Sequence, residues 1–121
     1  MNGDNMSLFD LAKKFQPKTV VVEGESFHVA RLSALQKDRF DLQYGAFQKV
    51  NGGVGLRGFL TAFCLCEKDG KPTYDSGLKS EASEAFLNHV ESVCALPLAL
   101  VDPLFEAACD INGFNEGSAK N

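Results

Sequence analysis

The sequence predicts an α+β fold, predominantly α-helical, in which an N-terminal β-hairpin packs on about four to five helices. Three observations carry that expectation. The β-branched run Thr19-Val20-Val21-Val22 is followed by a glycine turn and a second apolar segment. Ser33 and Gln36 open a long segment with helical spacing of apolar residues. Beyond it, apolar residues recur three and four apart, punctuated by glycine and proline.

A chain of 121 residues fits one domain, here expected over 7–114, and can bury a core without staples. Ten Phe and no Trp make phenylalanine the main source of aromatic volume, enough for a core and an interface. The net charge of −4, with scattered basic residues, argues against nucleic acid or an anionic membrane as partner. No apolar run approaches the length of a membrane helix. Residues 1–6 lack the basic and apolar regions of a signal peptide and are expected to be a disordered leader, so a cytoplasmic protein is expected.

Taken in order, Ser7 with Asp10 caps a short helix over about Leu8 to Phe15, and Pro17 stops it. Leu8, Leu11, Ala12 and Phe15 share one face. Thr19–Glu23 and Ser26–Arg31 form the hairpin around a Gly24-Glu25 turn, the only β structure expected. The Ser33/Gln36 capping box starts a helix running to Val50. That helix carries two stripes: Leu35, Leu42, Ala46 and Val50 on one side, Phe40, Tyr44 and Phe47 on the other. A surface helix carries one apolar stripe, so this helix is either central or has a core face and a partner face.

The glycine-rich link 51–55 lacks the Lys-Ser/Thr ending of a phosphate loop and reads as a hinge. Leu56–Cys66 reads as a buried helix, with a buried strand as the alternative. Asp69-Gly70 is a turn. Ser80 caps the next helix, with Ala82, Phe86, Val90 and Val93 inward and Glu81, Glu84, Asn88 and Glu91 outward. Leu96-Pro97 ends or bends it. Asp102-Pro103 reads as an N-cap and first helical residue, with Leu104, Phe105, Ala108 and Ile111 inward and Asn112-Gly113 closing the helix. Residues 115–121 are small and polar and are expected to be disordered.

No local pattern carries catalysis. His28 and His89 are isolated, and neither belongs to a metal-binding helix motif. The serines lack a nucleophile-elbow setting. Cys64, Cys66, Cys94 and Cys109 lack the paired C-x-x-C spacing of a zinc knuckle and read as buried free thiols. The expectation is a non-enzymatic protein with no cofactor and no metal.

The segment Leu96-Pro97-Leu98-Ala99-Leu100-Val101-Asp102-Pro103-Leu104-Phe105 through Asn112-Gly113-Phe114 resembles the end of the tail assembly chaperones of long-tailed bacteriophages and prophages. The preceding order is similar too: a Val-rich hairpin, a helix opening Leu32-Ser33-Ala34-Leu35-Gln36-Lys37-Asp38-Arg39-Phe40, and an apolar segment running into Glu67-Lys68-Asp69-Gly70-Lys71-Pro72 with Tyr74 behind it. The likeness covers about residues 18–114 and rests on packing and turn patterns. It implies a small protein of the host cytoplasm, absent from the mature virion. Such a protein binds the tape measure protein and keeps it soluble while tail tube protein polymerises around it. It also implies self-association and a longer product made by ribosomal frameshifting. Ala119-Lys120-Asn121 can be encoded across a slippery A-AAA-AAC heptamer, which the gene sequence would reveal. On this reading Phe40, Tyr44 and Phe47 are the candidate partner-binding face. The alternatives are a tail-completion or head–tail joining subunit, and a small ligand-binding regulatory domain.

Overall fold

The computed structural model describes residues 7–74, 79 and 81–114. The expected leader 1–6, the Ser80 cap, the tail 115–121 and its Ala119-Lys120-Asn121 ending lie outside the described residues. The fold is α+β and mostly helical. Its order is α1 (Leu8–Ala12), β1 (Lys18–Val22), β2 (Glu25–Val29), α2 (Ala34–Val50), α3 (Leu56–Cys64), β3 (Leu65–Cys66), α4 (Glu84–Cys94) and α5 (Leu98–Asn112).

Local hydrogen bonding explains the starts of α1, α2 and α4. Ser7 and Asp10 form a reciprocal capping box on α1, which ends at Ala12, short of Phe15. Ser33 Oγ accepts from the Gln36 amide at 3.1 Å, while Gln36 Oε1 accepts from the Ser33 amide at 2.8 Å. Ser83 caps α4 by accepting from the Phe86 amide at 3.1 Å, three residues later than expected.

The hairpin turns at Glu23-Gly24, one residue earlier than the expected Gly24-Glu25. Both turn residues sit at positive φ, 52° and 81°. That is the pattern of a primed two-residue turn, whose twist matches the strands. Its register pairs Val22 with Glu25 and Val20 with Phe27. A third strand was not expected: β3 pairs antiparallel with β2, His28 opposite Cys66. Two residues are too short to show a period, and burial at the sheet's inner edge decides their pairing. The Glu67–Lys71 loop then turns the chain back, and Pro72 bridges Cys66.

Helix α3 is the axis of the core: every residue from Gly58 to Cys64 is buried. Phe40, Phe47, Phe59, Phe63 and Phe86 interlock around it, with Phe59 and Phe86 edge-to-face at 5.4 Å between centroids. Such paired rings are worth about 0.5–1.5 kcal/mol each beyond the area they bury. Helix α5 packs on α3 and on both long strands.

Helix α5 corrects a further expectation. It starts at Leu98 directly after Pro97, so Asp102 and Pro103 lie inside it. An interior proline removes one donor and costs about 3 kcal/mol. The carbonyl it leaves without a helical donor belongs to Ala99, which is exposed to water. Burial of Val101, Leu104, Ala107 and Ala108 along one side offsets that cost. Asp102, released from capping, pairs with Arg57 at 3.2 Å. The helix closes as expected, Gly113 at φ 77° and the Phe114 amide donating to the Cys109 carbonyl at 2.8 Å.

Candidate functional site

The two stripes of α2 are placed opposite to the partner-face assignment. Phe40 is 4% exposed and Phe47 9%, and both belong to the core; Tyr44 is half-buried against it. Phe40 meets Phe63 at 5.4 Å, and Phe47 meets Phe59 at 5.1 Å. Phe40, Tyr44 and Phe47 are therefore packing residues. The physical reason is size. An aromatic ring buries about 150–250 Å², more than Leu, Ala or Val, so the ring stripe takes the side facing Phe59 and Phe63 of α3.

The aliphatic stripe is left outside. Leu35, Leu42, Ala46 and Val50 are exposed, Leu42 at 69% and Val50 at 82%. At 1.5 Å per residue the stripe runs about 22 Å along the helix. Its C-terminal half forms one wall of a cleft of about 560 Å³, completed by Gln43, Phe47, Glu81, Ala82 and Leu87. Gln43 is held in that wall by donating from Nε2 to the Lys79 carbonyl at 2.9 Å. The signal that finds this face in a sequence is relative side-chain volume between two stripes of one helix.

A second apolar surface lies at the other end of α2. Helix α1 buries none of its residues, and Leu8 and Phe9 are almost fully exposed. Its Leu8, Leu11, Ala12 and Phe15 overhang a hollow of about 670 Å³ above Arg31, Gln36 and Ile111. Arg31 anchors the segment, donating to the Gln16 carbonyl at 2.7 Å and lying 5.5 Å from the Phe15 ring centroid.

Among the described residues the titratable groups do not converge. His28 Nδ1 lies 3.2 Å from Thr19 Oγ1 on the sheet. His89 stacks on Tyr74 at 4.3 Å, its Nε2 is buried with no hydrogen-bond partner among the described residues, and burial pulls its pKa below the usual histidine value. Burial pushes all four thiols up, Cys64 most strongly, which keeps them protonated and poor nucleophiles. Cys64 and Cys66 are buried as expected, Cys109 is half-buried, and Cys94 is exposed, contrary to the expectation of four buried thiols. Among the described residues no three His, Cys, Asp or Glu side chains are grouped to hold a metal ion. Among the same residues no single helix is long and apolar enough to cross a membrane, and the chain bends by 119° between α4 and α5.

The described residues present an aliphatic ridge, a cleft beside it and the exposed apolar helix α1 as contact surfaces. Compared with protein-family models, with curated proteins and with solved structures, the chain matches none.

Proposed function

We propose that this chain is a tail assembly chaperone of a long-tailed bacteriophage or prophage. It binds the tape measure protein in the host cytoplasm, keeps it soluble until tail tube protein assembles around it, and is left out of the virion. The observation that carries the reading is the exposed ridge Leu35, Leu42, Ala46 and Val50 beside the cleft between α2 and α4. A long helical client presents apolar residues at the same spacing, and a helix laid along a ridge and cleft buries both surfaces. The order of hairpin, capped helix, apolar helix and Asn-Gly-terminated helix supports the same family. The ridge also accounts for self-association, since an exposed apolar patch is covered by a second copy when no client is present.

Co-expression tests the reading. The wild-type chain should hold the tape measure protein in the soluble fraction. The Leu42→Glu/Val50→Glu variant should release it to the pellet, while melting at the wild-type temperature. A tape measure protein that stays insoluble beside the wild-type chain overturns the proposal. Recovery of the chain from purified virions would instead favour a tail-completion or head–tail joining subunit.

A further inference from the structure

The three-stranded sheet has two edges, and they are finished differently. Beyond β3 the chain returns: Pro72 bridges Cys66, and the Thr73 amide donates to the Leu65 carbonyl at 3.0 Å. Among the described residues β1 pairs with β2 alone, so its other side is a bare edge.

The turn decides which backbone groups that edge presents. In a two-residue hairpin the residues flanking the turn form a hydrogen-bonded pair, and such pairs alternate along an antiparallel ladder. With Val22 opposite Glu25, the bonded pairs are Val22–Glu25, Val20–Phe27 and Lys18–Val29. Thr19 and Val21 therefore direct their amides and carbonyls away from β2. Among the described residues those groups form no other backbone hydrogen bond. Natural edge strands are guarded by a proline, a bulge or charges along their length. β1 has an unbroken register and no proline, and its one charge, Lys18, stands at its first position. Thr19 and Val21 are exposed, Val21 at 64%.

We infer that β1 pairs antiparallel with β1 of a second copy about a two-fold axis at Val20, joining their sheets into one. The strand is complementary to itself in this register. Thr19 comes opposite Val21 of the second copy, and Val21 opposite its Thr19. Both are pairs of the hydrogen-bonded kind, so every outward amide and carbonyl of the two residues gains a partner. The β-branched side chains also meet across the joint on the face away from α5. On the other face Lys18 comes beside Val22 of the second copy, with that copy's Glu25 one strand further, about 10 Å from Lys18 between Cα atoms. Lys18 and Glu25 are exposed and form no ion pair among the described residues, and the two-fold brings each within side-chain reach of its opposite charge. A two-fold contact closes at two copies. It uses none of the ridge residues and does not rest on the proposed function.

The test is amide hydrogen exchange of the full chain at about 20 µM and about 1 mM. So small an interface should give a dissociation constant on the order of 100 µM. The Thr19 and Val21 amides, open to water in the monomer, should then exchange about fourfold more slowly at the higher concentration. Association through the ridge would leave both amides unprotected. Val21→Pro removes an outward donor and spares the ladder to β2, so this variant should sediment as a monomer at 1 mM. Thr19→Lys/Val21→Lys sets like charges opposite each other across the axis and should do the same. Unprotected Thr19 and Val21 amides at 1 mM overturn the inference. So does a dimer that persists in both variants, or protection that appears only when tape measure protein is added, which would give the edge to the client.

Discussion

The amide of Leu32, at the exit of the hairpin, donates at 2.7 Å to the side-chain oxygen of Asn112, the last residue of α5. The same Asn112 side chain donates back to the Ala30 carbonyl at 3.1 Å. One amide group thus joins the two ends of the fold, satisfying two backbone groups that β3 and α2 leave unpaired. Asn112→Ala should cost about 2–3 kcal/mol, because both partners stay partly buried without replacements. Urea unfolding reads this as a midpoint lowered by about 1 M with an unchanged slope. A midpoint within error of wild type would show that water replaces the side chain freely.

Gly58 marks the closest approach of α3 and α4. A Cβ there would collide with Cys94 Sγ and lie 3.1 Å from the Cys94 Cα. Gly45, inside α2, has nothing within 4 Å of its hypothetical Cβ. The same Gly→Ala change should therefore have opposite signs at the two sites. At 58 it should destabilise by about 1–3 kcal/mol through overpacking. At 45 it should stabilise by roughly 0.5–1 kcal/mol through lower unfolded-state entropy. Thermal melts of the two variants give the comparison directly.

The two stripes of α2 separate in the same way. Phe40→Ala opens a hole among Phe59, Phe63 and Phe114 and should cost about 3–5 kcal/mol. Leu42→Ala removes an exposed side chain and should stay within about 0.5 kcal/mol. A strongly destabilised Leu42→Ala beside a stable Phe40→Ala would reverse the placement of the stripes.

His89 sets a pH dependence. Burial lowers its folded pKa below the ordinary 6.5 that the unfolded chain retains. Below 6.5 the unfolded state binds more protons than the folded one, so stability falls as pH drops and is level above about 7.5. His89→Phe keeps a ring against Tyr74 and should flatten the slope between about pH 5.5 and 7. Parallel slopes for the two proteins would assign the dependence to other groups.

Glu23 holds a backbone conformation better suited to asparagine. Glu23→Asn, followed by Gly24, creates the preferred pair for a primed turn and should stabilise the hairpin by about 0.5–1 kcal/mol. A lower melting temperature would mean that Glu23 makes a compensating contact.

Much of this fold is legible locally. Ser7, Ser33 and Gly113 announce helix ends because the bonds that satisfy those ends close within three or four residues. Asp69-Gly70 and the Val-rich run mark their turn and strand for the same reason; Gly70 sits at φ 93°. The alternation of α4 placed Phe86, Val90 and Val93 inward correctly, since that helix has one apolar side. The aliphatic ridge of α2 was visible as a stripe but not as the exposed one, because two stripes satisfy the helical period equally.

The sequence by itself determined which long segments become helices and where the hairpin lies, together with the start of α1, both ends of α2 and the end of α5, because those choices rest on short-range hydrogen bonds and propensities. Tertiary structure alone decided which stripe of α2 turned inward, that Leu65-Cys66 joined the sheet, and that Pro103 was tolerated inside α5. Each of those outcomes depends on the surface presented by a distant element: the rings of α3, the free edge of β2, and the bed that α3 and the strands provide for α5. Burying the larger area outweighs the local preference, and that comparison exists only once the elements meet.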